Sequence, residues 1–260
     1  MQRIRIRYAK RGPLRFTSHR DFARAFERAV QRAGVPIAYS QGFTPHPKIS
    51  YASAAPTGTA SEAEYLEIAL QAVADPEKVA LALDAALSPG LDVLSAVEAQ
   101  GGSLADLMQA SLWLLELPGV TDGAARDAVA AFLDRDEVPV ERMTKQGRRT
   151  FDARAAVLSL TVATGATAPG TTPGVPPSRD AHTPCAILET VVRQVTPTVR
   201  PDDVLSGLRL VAGLEPVAPP RVTRIRQGPL TAQGEIGDPL APQAAAKADP
   251  DQVVFGVPSG

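Results

Sequence analysis

Hydrophobic and polar side chains alternate at the very start of the chain. Ile4, Ile6 and Tyr8 fall on one side of an extended segment, and arginines occupy the positions between them. A period of two is typical of a half-buried strand, so residues 2–8 are predicted to form one. A turn at residues 10–13 and a short second strand at residues 14–16 are predicted to follow.

The period then changes to that of an amphipathic helix. Ser18 is the predicted N-cap, with Asp21 in the first turn, and Gly34 ends the helix after about Ala33. The predicted buried stripe consists of apolar residues at helical spacing: Phe22, Phe26, Ala29, Val30 and Ala33.

The same two kinds of pattern recur through the rest of the chain. Strands are predicted at residues 36–39, 48–53, 64–70, 91–97, 111–117, 138–143, 156–162, 187–195 and 217–226. Helices are predicted at residues 76–87, 122–133 and 201–208. This order predicts an α+β fold made of two ferredoxin-like βαββαβ units in tandem, residues 1–100 and 101–227. An insertion at about 164–184 and a tail at 228–260 are too poor in bulky apolar residues to fold, and both are predicted to be disordered.

Composition restricts the class of protein. The chain has 260 residues, 44% of them hydrophobic and 21% charged, which is ordinary for a globular protein. One cysteine excludes a disulfide scaffold. The basic start lacks an apolar segment behind it, so no signal peptide or membrane association is expected, and a cytoplasmic location is predicted. Residues 1–50 carry 11 Lys and Arg but only two carboxylates, which indicates either an anionic partner for this end or packing of one half against the other.

Familiar catalytic motifs are missing from the sequence. There is no GxGxxG, and Gly147-Arg148-Arg149-Thr150 lacks the earlier glycine of a P-loop because residue 142 is Arg. The single cysteine and three scattered histidines match neither a zinc site nor an iron–sulfur site. We therefore expect no metal and no cofactor, and an enzymatic activity is uncertain and disfavoured.

Two arginine-rich faces favour binding of nucleic acid. On the first strand, Arg3, Arg5 and Arg7 repeat every ~6.8 Å, close to the spacing of phosphates in an extended strand. On the helix, arginines four residues apart form a basic ridge opposite the phenylalanine stripe. The alternative is that both faces are simply solvated. The predicted phosphate contacts are Arg3, Arg5, Arg7, Arg15, Arg20 and Arg24.

A loop between Tyr39 and Tyr51 adds further candidates. Two prolines fix the backbone around His46, and Gln41 and Lys48 lie close to it in sequence. Such a loop is suited to stacking a base and holding a phosphate. The alternative is a turn that packs Phe43 and Tyr51 onto the sheet. Glu62 and Glu64, at the start of the strand that follows, are interpreted as partners either for an RNA base or, preferably, for the arginine face.

The residues from RFTSHRDFARAF to YSQGFTPHPKISYA, followed by SEAEYLEI, resemble the radical SAM-linked protein family of bacteria. The resemblance extends to about residue 227 and omits the tail. It implies a domain of unknown function that is fused to radical SAM proteins or encoded beside them, and in some bacteria near an RNA-processing enzyme. It implies no catalytic residues. The partner suggested by the resemblance is a separate radical SAM protein or RNA-processing enzyme.

Three functions remain in competition. The leading hypothesis is an RNA-binding accessory protein that presents RNA to a modifying or processing partner. The second is an RNA-modifying or RNA-cleaving enzyme in which His19 or His46 is the general acid or base and Asp21 or Glu64 supports it. The third is a protein-interaction domain whose basic half docks on an acidic partner.

Overall fold

A computed structural model describes residues 1–144, 147–163 and 184–241. The strands are β1 (Arg3–Lys10), β2 (Ile49–Ala52), β3 (Ala60–Ala69), β4 (Val93–Glu98), β5 (Ala110–Pro118), β6 (Pro139–Thr144), β7 (Gly147–Asp152), β8 (Val157–Val162), β9 (Cys185–Arg193) and β10 (Arg221–Gly228). The helices are α1 (His19–Arg32), α2 (Pro76–Ala86), α3 (Asp122–Leu133) and α4 (Pro201–Ala212). The predicted mixed α+β class is confirmed.

Eight of the strands form one sheet, in the order β4-β1-β3-β10-β5-β9-β8, with β2 also paired to β3. Every neighbouring pair is antiparallel except β3 and β10, which are parallel. Those two strands join the halves of the chain through only two residue pairs, Thr223 with Ala60 and Arg224 with Ser61. The strands β6 and β7 form a separate two-stranded ribbon between α3 and β8.

Each half has its own hydrophobic core beneath its helices. Ile4 and Ile6 of β1 pack with Phe22 and Phe26 of α1, which confirms the predicted stripe. In the second half, Leu115 of β5 packs with residues of α3 and α4. Glu64 pairs in register with Tyr8 on the helix side of the first half. In the second half, Arg224 lies opposite Trp113, which belongs to the core beneath the helices. Arg224 also contacts Glu64. The helices of both halves therefore lie on the same face of the sheet.

Several predicted boundaries need correction. Residues 12–16 form a short 3-10 helix instead of a strand, because Gly12 has a φ of +53° and Pro13 begins a helical turn. Residues 36–39 make only isolated bridges, at Ile37 and Tyr39. The helix that begins at Pro201 continues to Ala212 and ends at Gly213, whose φ is +64°. The predicted N-cap is confirmed, since the Ser18 hydroxyl accepts a hydrogen bond from the Asp21 amide.

The first part of the predicted tail is ordered. Leu240 is 8% exposed and packs with Tyr65, Leu104 and Met108 on the side of the sheet opposite the helices. The Leu230 amide donates to the side chain of Gln109 at 3.0 Å. The prediction of disorder is therefore wrong for residues 228–241. Residues 242–260, and all residues of the predicted insertion except Pro184, lie outside the described part of the chain, so the prediction of disorder stays a prediction there.

Candidate nucleic-acid interface

Helix α1 presents a row of arginines to solvent. Its apolar stripe is buried against the sheet, and the residues on the opposite side are therefore turned outward. Arg20, Arg24 and Arg28 are all exposed, four residues apart. Asp21 and Glu27 are the acidic residues of this helix. The predicted basic ridge is thus an accessible row of guanidinium groups.

Arg15 lies just before this ridge, in the short 3-10 helix. Its guanidinium carbon is 4.4 Å from the centre of the Phe16 ring. Phe16 is itself exposed, and the Arg15 carbonyl accepts a hydrogen bond from the Gly58 amide at 2.8 Å. A stacked arginine and an exposed aromatic ring are both able to contact nucleotide bases.

The loop that contains His46 is braced at its base and exposed at its tip. The Lys48 amide donates to the Ala38 carbonyl, and the Ser40 amide to the His46 carbonyl, both at 2.8 Å. The His46 amide donates to the Ser40 hydroxyl at 2.9 Å. Phe43 is fully exposed, and the interpretation that it packs onto the sheet is therefore wrong. The side chains of Gln41, His46 and Lys48 are also exposed.

Tyr51 connects the loop region to helix α1. Its ring meets the His19 ring edge-on, with centroids 4.9 Å apart, and also meets the Phe22 ring at 6.0 Å. Burial raises the pKa of the Tyr51 phenol, and the nearby Glu27 carboxylate adds to that rise. This contact fixes β2, which follows the loop, against the start of the basic helix.

The arginine face of β1 is engaged by protein groups. Arg3 and Arg5 both contact Glu67, at 2.9 Å and 3.0 Å. Arg7 donates to the Glu62 carbonyl at 2.8 Å. Arg5 is only 2% exposed, so it is not part of the accessible surface, whereas Arg3 is exposed. The carboxylate that pairs with Arg3 and Arg5 is Glu67. The carboxylate of Glu62 pairs with Arg11, and that of Glu64 with Arg224.

The groups considered for acid–base catalysis lie in different environments. His19 is exposed at the start of α1, and the Asp21 carboxylate accepts a hydrogen bond from the Ser18 hydroxyl at 2.6 Å. Glu64 is 1% exposed and lies between the two halves. Among the described residues, no hydrogen bond joins His19 or His46 to Asp21 or Glu64. No group of three potential metal ligands occurs in the described parts of the chain either.

Sequence patterns missed a buried polar seam between the halves. Arg224 contacts Glu64 and donates to the Ser53 carbonyl at 2.7 Å and to the Ser61 hydroxyl at 3.3 Å. Its guanidinium also lies 5.4 Å from the Trp113 ring centre. We refer to Arg224, Glu64, Ser61 and Lys10 as the seam. The sequence held one signal for this seam: Glu64 and Arg224 are charged residues at inward positions of the strands predicted at 64–70 and 217–226.

Electrostatics at the seam follow from burial. The Lys10 ammonium donates to the Ala55 carbonyl at 3.3 Å. Burial lowers the pKa of Lys10, although Glu64 opposes that change. The pKa of the neighbouring Tyr8 phenol is raised, first by burial and then by Glu64. The seam thus holds two cationic side chains and one carboxylate away from water.

Comparison with known proteins identifies the family. The model of a bacterial family described as "Uncharacterized protein conserved in bacteria (DUF2344)" matches residues 3–201, which include α1 and the His46 loop. The chain belongs to this family. The family description assigns no activity. Among solved structures, one described as "Crystal Structure of an Unknown Protein from Galdieria sulphuraria" is 16% identical and covers 81% of this chain and 91% of that chain, with a TM-score of 0.23. No curated protein matches the chain.

Within the described residues, no helix is both long and apolar enough to cross a membrane.

Proposed function

We propose that this member of the family binds single-stranded RNA and presents it to a separate RNA-modifying or RNA-processing enzyme. The observation that carries the proposal is the fully exposed Phe43 at the tip of a braced loop, on the same half of the chain as the four exposed arginines of α1. An aromatic ring in that position stacks on bases of any sequence, and guanidinium groups bind the phosphates that follow.

The exposed ring of Phe43 is available to a ligand. A phenylalanine side chain contributes ~1.5–3 kcal/mol when it is buried, and the folded chain gains none of this from Phe43. The loop is nevertheless ordered by four groups at its base, the backbones of Ala38, Ser40, His46 and Lys48. A rigid loop holding an exposed ring loses little conformational entropy when it binds, which favours affinity.

The strand order of the two halves favours a finer architecture. We infer that the two halves are ferredoxin-like units, each with a βαββαβ order interrupted in the second half by the β6–β7 ribbon. The support is that β4-β1-β3-β2 and β10-β5-β9-β8 follow the same antiparallel strand order. Both units have their helices on one face, and the exposed arginines of α1 lie on the helix side of the first.

An accessory role is favoured by the surroundings of the acid–base candidates. Glu64 is committed to Arg224, and Asp21 accepts a hydrogen bond from the helix cap. The family resemblance supplies the kind of partner, a radical SAM protein or an RNA-processing enzyme encoded nearby. Such a partner would act with this protein in the cytoplasm.

Binding is tested by titrating the full-length chain with short unstructured RNA over a range of salt concentrations. We expect log K to fall with log salt with a slope of about −0.7 for each phosphate contacted. Phe43→Ala should weaken binding by ~1–3 kcal/mol, the usual effect of losing one stacked base. Leu210→Ala, at another exposed apolar residue, is the control and should have no effect. Salt-independent binding, or displacement of RNA by polyglutamate at similar concentrations, would favour the acidic-protein partner instead.

His46 distinguishes an accessory protein from an enzyme. If the loop only binds, His46→Ala should weaken RNA affinity by ~1–2 kcal/mol, and His46→Gln should recover part of this through its amide. If His46 is a general acid or base, both variants should lose turnover ~100-fold or more while binding survives. Conversion of RNA by the purified chain, abolished in both variants, would refute the accessory role.

A further inference from the structure

The β6–β7 ribbon is a second basic surface, on the other half of the chain from α1. Its described residues, Pro139–Thr144 and Gly147–Asp152, carry three arginines against two carboxylates. The Gly147-Arg148-Arg149-Thr150 run, which does not match a P-loop, begins β7. No residue of the ribbon belongs to the surface proposed above.

The base of the ribbon is fixed to the body of the protein. Val140 is buried in the second core, and Phe151 packs against it. Arg142 donates to the Asp203 carboxylate at 2.6 Å and to the Thr198 carbonyl at 3.0 Å, and its guanidinium carbon lies 4.7 Å from the Phe151 ring centre. These contacts hold the ribbon against the start of α4.

The outer part of the ribbon makes no comparable contribution to folding. Met143 and Arg148 are opposite each other in register, and both are exposed. A two-stranded ribbon has little stability of its own and depends on its anchored base. Among the described residues of the outer part, none belongs to a hydrophobic core. Met143 and Arg148 are therefore both available to a ligand.

The chemistry of this pair suits a nucleic acid. The Arg148 guanidinium is 3.2 Å from the Glu141 carboxylate, but the two side chains are 68% and 56% exposed. An ion pair in such a position contributes little, so a phosphate readily competes with the carboxylate. Methionine is flexible and polarizable, and it adapts to the apolar faces of bases and riboses.

We infer that the β6–β7 ribbon is a second RNA-contacting element, which holds the phosphodiester backbone beyond the segment bound at α1. This inference rests on the proposed function. The row from Arg20 to Arg28 covers only about 12 Å of helix, enough for a few nucleotides. An RNA that contacts both halves must be longer, so the ribbon would make affinity depend on RNA length.

The test compares a 6-nucleotide RNA with a 24-nucleotide RNA of the same base composition, both unstructured, on the full-length chain. Arg148→Gln should weaken binding of the longer RNA about five-fold and reduce its salt slope by about 0.7, while binding of the shorter RNA is unchanged. Arg209→Gln is a matched control in the same half, because Arg209 and Glu215 form a pair of equal exposure, 67% and 63%. It should alter neither affinity.

Arg24→Gln tests the proposed function separately and should weaken binding of both RNAs. If Arg24→Gln has this effect but Arg148→Gln behaves like Arg209→Gln, the ribbon inference is wrong and the proposed function stands. If the unmodified chain binds neither RNA, both are wrong. Thermal melting of each variant, within about 2 °C of the unmodified chain, checks that an affinity change is not due to misfolding.

Discussion

Replacing Arg224 with Met removes the cation that joins the two halves of the chain. Arg224 and Glu64 are each 2% exposed at their side chains. The substitution removes every hydrogen bond of the guanidinium and leaves the Glu64 carboxylate buried with the Ala55 amide, 3.2 Å away, and Lys10 nearby. Removing one partner of a buried ion pair costs about 3–5 kcal/mol.

The partners that remain after each substitution determine how much free energy of unfolding each variant loses. After Arg224→Met, the Lys10 ammonium still offsets the charge of Glu64, so we expect a loss near 3 kcal/mol. After Glu64→Gln, two cationic side chains remain buried without a carboxylate, and the loss should approach 5 kcal/mol. The double variant, with Arg224→Met and Glu64→Met, leaves Lys10 as the one buried cationic side chain of the seam instead of two, and should recover about half of the larger loss.

Equilibrium unfolding in urea, followed by circular dichroism, measures these differences. Arg209→Met, at an exposed ion pair, is the control and should change the free energy of unfolding by less than about 1 kcal/mol. A loss below about 1 kcal/mol for Arg224→Met would contradict the argument. So would a double variant no more stable than Glu64→Gln.

Two further predictions concern the rest of the fold. A chain that ends at Gln227 should melt roughly 4–8 °C below a chain that ends at Ala241, because it loses the burial of Leu240, worth about 2 kcal/mol. Equal melting temperatures in a thermal scan would show that this segment does not stabilise the core. Burial raises the pKa of Tyr65 to about 12 from 10.0, so stability that is fully present below pH 10 is lost as the pH rises through about 12. Tyr65→Phe should reduce that loss in urea unfolding measured across this range, and an identical pH profile for the variant would contradict the assignment.

Local periodicity correctly predicted the helices and strands in which apolar residues occupy one face. The stripe of α1 and the alternation of β1 each place apolar residues on one face, and both match the structure. The helix predicted at residues 122–133 has those bounds, with the Thr121 hydroxyl accepting from the Ala124 amide. Strand β7 was missed because most of its side chains are exposed, so no hydrophobic alternation marks it.

The polar arrangement was less predictable, because it depends on residues far apart in sequence. Glu64 and Arg224 are separated by 160 positions, and nothing near either residue indicates the other. The arginine face of β1 was placed on the correct strand face, but its partner Glu67 is selected by the antiparallel register with β3. The exposed ring of Phe43 was equally hidden, since a pattern of residue types does not show whether an aromatic side chain has a core within reach.

The parallel pairing of β3 and β10 has a consequence for synthesis of the chain. One edge of β3 is shared between β2 and the last strand, which carries Thr223 and Arg224. On the ribosome, the amino-terminal half emerges first, and the stretch of β3 near Ser61 stays uncapped until about 160 more residues have been translated. An unpaired strand edge is a template for association with other chains. The two halves can therefore pair along β3 and β10 only after most of the chain has been made, and until then this part of β3 is an open edge.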